Sequence, residues 1–166
     1  MIYKAPFTAI AKSLYAVLKD NQAIMLYWFD SAVPINEIED CFKNQSEFSY
    51  GIFGQSDADC KPNKTAVVWD GSLQLEVYSN YKGRKVVAQK LEALLNYLSS
   101  DTGFNALSTA LSAEGYALVS LTVGALHVSL PIYGDNGVWQ NGGTDISFQL
   151  HQSPLPYAIF SGLRLL

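Results

Sequence analysis

"WDGSLQLEVYSNYKGRKVVAQKLEALLNYL", residues 69–98, changes its hydrophobic period once, and that change decides the fold class. In its first part Leu73, Leu75 and Val77 alternate with Gln74, Glu76 and Tyr78, so a strand gains one apolar and one largely polar face. Such alternation suits an antiparallel sheet covered on one side. A charged, glycine-marked turn follows. From Arg84 onward Val87, Leu91, Leu94, Leu95 and Leu98 share one helical stripe, with Lys85, Gln89, Lys90, Glu92 and Asn96 mostly off it. Burying each such leucine contributes roughly 1.5–3 kcal/mol before the opposing chain entropy. The segment lays a helix on a sheet and carries no obvious catalytic group.

Outward from this unit the periodicity continues in both directions. Residues 6–20, "PFTAIAKSLYAVLKD", place Phe7, Ile10, Leu14, Val17 and Leu18 on one helical face, with Pro6 where a first turn tolerates a missing N–H. The apolar run "AIMLYWF" (23–29) fits a buried strand, although periodicity alone does not exclude a helix. "PINEIEDC" (34–41) reads as a short helix, "FSYGIFG" (48–54) as a strand, and "QSDADCKPNK" (55–64) as a polar loop of turn formers. Residues 104–112 add a helical turn or two. "EGYALVSLTVGALHVSLPIYG" (114–134) reads as one long strand bent or bulged at Gly124. "DNGVWQNGG" (135–143) supplies hairpin punctuation before "TDISFQLHQ", where Ile146, Phe148 and Leu150 alternate with Ser147, Gln149 and His151. The order predicts one α+β domain over residues 1–152, a mainly antiparallel sheet covered by two principal helices. Residues 153–166, apolar but broken by Pro154 and Pro156, form a C-terminal extension that needs a surface to lie on.

Composition narrows the function. At 166 residues with 49% hydrophobic content the chain has material for one core, so disorder is not expected. A formal charge of −4 argues against binding nucleic acid by phosphate neutralisation. Lys82, Arg84 and Lys85 form the one tight basic cluster, at a helix start, where solvated surface is the simpler reading than a phosphate contact. Cys41 and Cys60 show no CxxC spacing, which favours a reduced compartment over a disulfide scaffold. The N-terminal stretch lacks the pattern of a signal peptide, and no apolar run reaches the ~20 residues of a membrane span. The expectation is a soluble intracellular protein.

Chemistry-bearing patterns are sparse. Asp57, Asp59 and Cys60 match no complete metal-ligand set, and a solvated turn accounts for them better. His127 and His151 sit in strand-like segments and read as structural or surface histidines rather than general bases. No GxSxG elbow is present, and the glycines of 134–143 precede no GK[ST]. We therefore expect no catalytic, cofactor-binding or metal residues.

The run "YGIFGQSDADC…NKTAVVWDGSLQLEVYSNYKGRKVVAQKLEALLNYL" resembles the tail-completion, or tail-terminator, proteins of long-tailed bacteriophages and their prophage relatives. Matching positions are the Gly54–Gln55 pair, then Leu73, Leu75 and Val77, then Ser79, Tyr81, Gly83, Arg84 and Lys85 of the turn. The resemblance covers most of residues 5–151; residues 30–47 depart from it, and the tail after His151 extends beyond it. It implies a structural subunit of the virion tail or neck, assembled in the host bacterial cytoplasm. It also implies a ring, commonly a hexamer, whose partners are further copies, the tail-tube protein and the head–tail connector, with DNA passing through the lumen and no membrane involved. Another neck or connector adaptor is the alternative, and a small ligand-binding domain or enzyme a third. Candidate assembly residues are Val138 and Trp139 at the expected hairpin tip and Leu155, Tyr157, Ile159 and Phe160 in the tail, since aromatic side chains anchor interfaces. Folding of Trp139 and the tail back onto their own domain is the equal alternative. Arg84 and Lys85 are a ring contact or helix-start surface.

Overall fold

The computed structural model describes residues 3–24, 26–30, 35–43, 45–62, 66–134 and 137–152. The central unit is the one expected: β3 (Val67–Ser79) is followed by α3 (Lys85–Leu98), which lies across the sheet. Val87, Leu91, Leu94 and Leu98 of α3 are buried, as the stripe requires. Ahead of them come α1 (Phe7–Leu18), β1 (Tyr27–Phe29), α2 (Ile35–Cys41) and β2 (Ser49–Pro62). After them come α4 (Asp101–Ala113), β4 (Tyr116–Val123), β5 (His127–Val128), β6 (Ile132–Gly134) and β7 (Gly137–Gln152). The sheet runs β1-β2-β3-β7-β4, with β5 and β6 also pairing with β7 on its β4 side. Every pairing is antiparallel except β1 with β2, whose crossover passes through α2. The class is α+β.

One face of this sheet is roofed by helices. Leu73, Leu75 and Val77 of β3 and Ile146, Phe148 and Leu150 of β7 meet the buried residues of α3, Leu107 and Leu111 of α4, and Ile10, Leu14 and Leu18 of α1. Two strand partners also tie down the N-terminus. The Tyr116 hydroxyl donates to the Lys4 carbonyl at 2.7 Å, and the Lys4 amide donates to Gln152 Oε1 at 3.1 Å.

Four local expectations are corrected by tertiary context. The stretch 55–62 is no loop: β2 continues to Pro62, with Asp57 opposite Ser72 and Asp59 opposite Asp70. Its alternation was present in the sequence, Ser56, Ala58 and Cys60 half-buried against Asp57, Asp59 and Lys61 exposed, but turn-forming residue types masked it. A third long helix, α4, joins the two expected. It starts before residue 104 because Ser100 is a cap, its Oγ accepting from the Gly103 amide at 3.1 Å. The long run 114–134 divides into β4 before Gly124 and β5 and β6 after it, and the Gly124 amide donates to the Asp145 carbonyl at 2.7 Å. Finally, "GVWQNGG" belongs to β7 rather than to a loop. Gly142 stands where a Cβ would come 2.4 Å from the His127 carbonyl and 3.0 Å from Leu91 and Val87, so a side chain there would push β5 and α3 off the strand.

Candidate functional site

The second face of the sheet has two unlike halves. Near its β1 end the short helix α2 covers it, and Ile38, Tyr50, Ile52 and Trp139 form a small separate core edged by Phe42, Phe48 and Tyr78. Phe42 and Phe48 stack at 4.4 Å, and Phe48 meets the Trp139 ring edge-on at 5.5 Å. Burial pushes the Tyr50 phenol up to about 12, and burial together with its hydrogen bond to Glu76 pushes Tyr78 up as well.

The other half is polar, and no described helix covers it. Strand register aligns Asp57, Ser72, Ser147 and Thr122 in one cross-strand row and Asp59, Asp70, Gln149 and Ser120 in the next. These rows line a shallow cavity of about 590 Å3. Like charges directly opposite repel, so the Asp59–Asp70 pair needs compensation. Lys61 bonds to the Asp70 carboxylate, and Gln149 Nε2 donates to it at 2.8 Å. These two contacts hold the Asp70 carboxyl below its ordinary range, and the hydrogen bond to Asp70 with its charge holds Lys61 above its own. Further along the same face stand Glu76 and Asp145. Acid groups outnumber the single lysine of these rows.

Two sheet edges are open. β1 pairs only with Tyr50–Ile52, so Ser56–Pro62 of β2 has no outer strand among the described residues. At the opposite edge β4 pairs with β7 on one side and with no described strand on its other. Exposed apolar side chains gather toward the same two margins. Tyr27 is on β1 and Phe7 and Tyr15 on α1, while Leu130, Ile132 and Tyr133 stand around β6.

The expected assembly residues are distributed unevenly over this surface. Of the two readings of Trp139, an exposed hairpin tip or packing onto its own domain, the structure has the second: the ring is 9% exposed and packed against Phe48 and Tyr50. Its neighbour Val138 is half-buried and pairs with Tyr133. The exposed side of that hairpin is therefore the β6 strand. Pro131 inside the run "SLPIYG" was the available signal, because proline within a strand pattern marks an edge or a break. Phe7, placed by periodicity on the inner face of α1, is 43% exposed. Arg84 and Lys85 are exposed at the start of α3, on the helix-covered side of the sheet and away from Trp139. Leu155, Tyr157, Ile159 and Phe160 lie outside the described residues.

The reactive residue types stay apart. His127 is exposed on β5 and His151 near the end of β7; Cys41 is exposed on α2 and Cys60 half-buried on β2, both as free thiols. Among the described residues no group of three or more His, Cys, Asp or Glu is placed to hold a metal ion. None of the described helices is long and apolar enough to cross a membrane.

No protein-family model matches this chain, and no curated protein matches its sequence. Among solved structures its fold is similar to that of a chain in the virion of a native gene transfer agent particle, at 13% sequence identity and a TM-score of 0.54. The match spans 90% of this chain and 99% of the other, so the likeness extends over nearly the whole of both folds.

Proposed function

We propose that this chain is a structural protein of a phage-type virion, and within it the tail terminator. In this reading copies close into a ring, commonly of six, that caps the tail tube, ends its polymerisation and meets the head connector. It works in the tail or neck after assembly in the host cytoplasm, and it makes and breaks no bond. One observation carries the proposal: among the described residues the sheet is open at both lateral edges and uncovered on one acidic face. The fold likeness to a chain of the gene transfer agent virion supports it.

The physical logic runs from edges to symmetry. An unpaired strand edge is a template for another chain unless something blunts it. Here the β2 and β4 edges lie on opposite sides of the sheet, so a contact joining them is head-to-tail. Head-to-tail contacts give a ring when the rotation closes and a filament when it does not. A ring that closes with the bare face inward presents Asp57, Asp59, Asp70, Glu76 and Asp145 to its lumen. Like charges repel, so DNA would slide through without adhering.

Light scattering of the purified chain across a concentration series, with negative-stain electron microscopy, tests the reading. Closed rings of uniform diameter, or rings seated on one end of isolated tail tubes, are the expected result. A monomer at every concentration that leaves tube length unchanged overturns it.

A further inference from the structure

The outward side of α1 carries an apolar stripe. Phe7, Ala11 and Tyr15 stand four residues apart, so they share one line along the helix, and the rings of Phe7 and Tyr15 are exposed. Phe53 of β2 lies beside them, and together they line a cavity of about 600 Å3. The chain continues past Gln152 as "SPLPYAIFSGLRLL", residues 153–166, which lie outside the described residues. That segment is apolar with one charged side chain, Arg164, so it too needs cover from water.

The end of β7 delivers the segment to this stripe. Gln152 is in register with Val67 and Tyr116, both buried in the helix-side core, so its side chain points to the face on which α1 lies. Its Oε1 accepts from the Lys4 amide at 3.1 Å, and Phe7 is three residues further on. Register also sets the distance to be covered. Phe53 aligns through Leu75 with Thr144, which precedes Gln152 by eight residues and stands two strands away from Phe53. That separation is about 27 Å along the strands and about 29 Å in all. Extended chain covers about 3.3–3.6 Å per residue, so Ile159 and Phe160 fall within the span of the cavity.

We propose that residues 155–163 pack along α1 of their own chain, with Ile159 and Phe160 over Ala11 between the rings of Phe7 and Tyr15. The contact lies within one chain and holds whether or not copies close into a ring. Pro154 and Pro156 lack the N–H that a continued ladder needs and favour extended backbone, so the sequence leaves the sheet just past Gln152 and crosses to the helix. Tethering decides between the chain's own segment and another copy's. A segment joined to its site by a short linker meets it at an effective concentration near millimolar, above that of any free copy in dilute solution.

The test uses full-length protein in a Cys41→Ser, Cys60→Ser background. A chain carrying both Thr8→Cys and Ile159→Cys is oxidised beside a control that pairs Leu130→Cys with Ile159→Cys. Thr8 is exposed and lines the cavity, whereas Leu130 lies toward the opposite margin of the sheet. The first chain is expected to close a disulfide at monomer mass, in a yield unchanged by dilution, and the control to stay reduced. Separately, Ala11→Arg fills the site. Chymotrypsin cleavage after Tyr157 and Phe160 should then accelerate at least roughly tenfold, the effect of uncovering one apolar side chain, while the rest of the chain stays resistant. Disulfide product found only as dimers puts the segment on a second copy, and linkage to Leu130→Cys puts it at the far margin. Either result overturns the proposal, as does a folded chain that forms no link, or an unchanged cleavage rate in Ala11→Arg. None of these outcomes touches the ring reading, whose own test is the size of the assembled species.

Discussion

Trp139 shows how much one residue's meaning depends on what surrounds it. Flanked by glycines and polar residues, it has the sequence of a loop tip; in the fold it closes a small aromatic core with Phe48, Tyr50 and Ile38. Truncating a buried large aromatic costs about 3–5 kcal/mol, so Trp139→Ala should lower the urea midpoint strongly even where no assembly occurs. An unchanged midpoint would return Trp139 to the surface. Tyr50, in the same cluster, makes a pH prediction. An unfolded chain releases this phenolic proton near 10.0, whereas the folded one holds it to about 12. Between those values the folded state binds more protons, so stability falls as pH rises, by at most about 1.4 kcal/mol per pH unit for this group. Denaturant unfolding from pH 9 to 12 checks it, and Tyr50→Phe should flatten the decline. Tyr78, raised for the same principal reason, acts in the same direction.

At the scale of elements, α3 and the end of β7 were legible because their patterns are uninterrupted. Val87, Leu91, Leu94 and Leu98 are buried as their spacing demands, and Ile146, Phe148 and Leu150 alternate as expected. Elements made of turn-forming residues were not. The second half of β2 and the first half of β7 are strands because long partners hold them: β3 pairs with both along nearly its full length. Helix α4 begins earlier than its apolar spacing predicts, for a related reason. "SSDTG" has a turn's composition, yet Ser100 caps the helix there, and Gly103 is needed because a Cβ would lie 2.1 Å from the Tyr97 carbonyl. Ser100→Ala should cost about 1 kcal/mol in stability, read from the denaturant midpoint; no loss would show that the hydroxyl does not serve as the cap.

Across the whole molecule the asymmetry of the sheet matters most. Among the described residues, helices α1, α3 and α4 bury one face, while the other is covered by α2 at one end and by no element over the acidic rows. If those rows line a channel for DNA, inverting their charge should create adhesion. Asp57→Lys with Asp59→Lys is expected to retain duplex DNA in a mobility-shift assay at low salt, weakening as salt rises, where the parent retains none. Equal retention by both would remove the acidic face from the proposed lumen. The two residues are exposed, so the folded subunit should tolerate the change.

The α+β class, the central strand–turn–helix and most of the helix-covered core can be read from the order of residues, because local periodicity records which side of an element faces away from water. Tertiary structure alone decided that 55–62 and 137–143 are strands, that Trp139 is interior, and that Phe7, Leu130 and Tyr133 are exposed. Those outcomes depend on partners distant in the chain. Pairing energy from a neighbouring strand overrides weak local preference, and exposure is set by whatever else happens to cover the same spot.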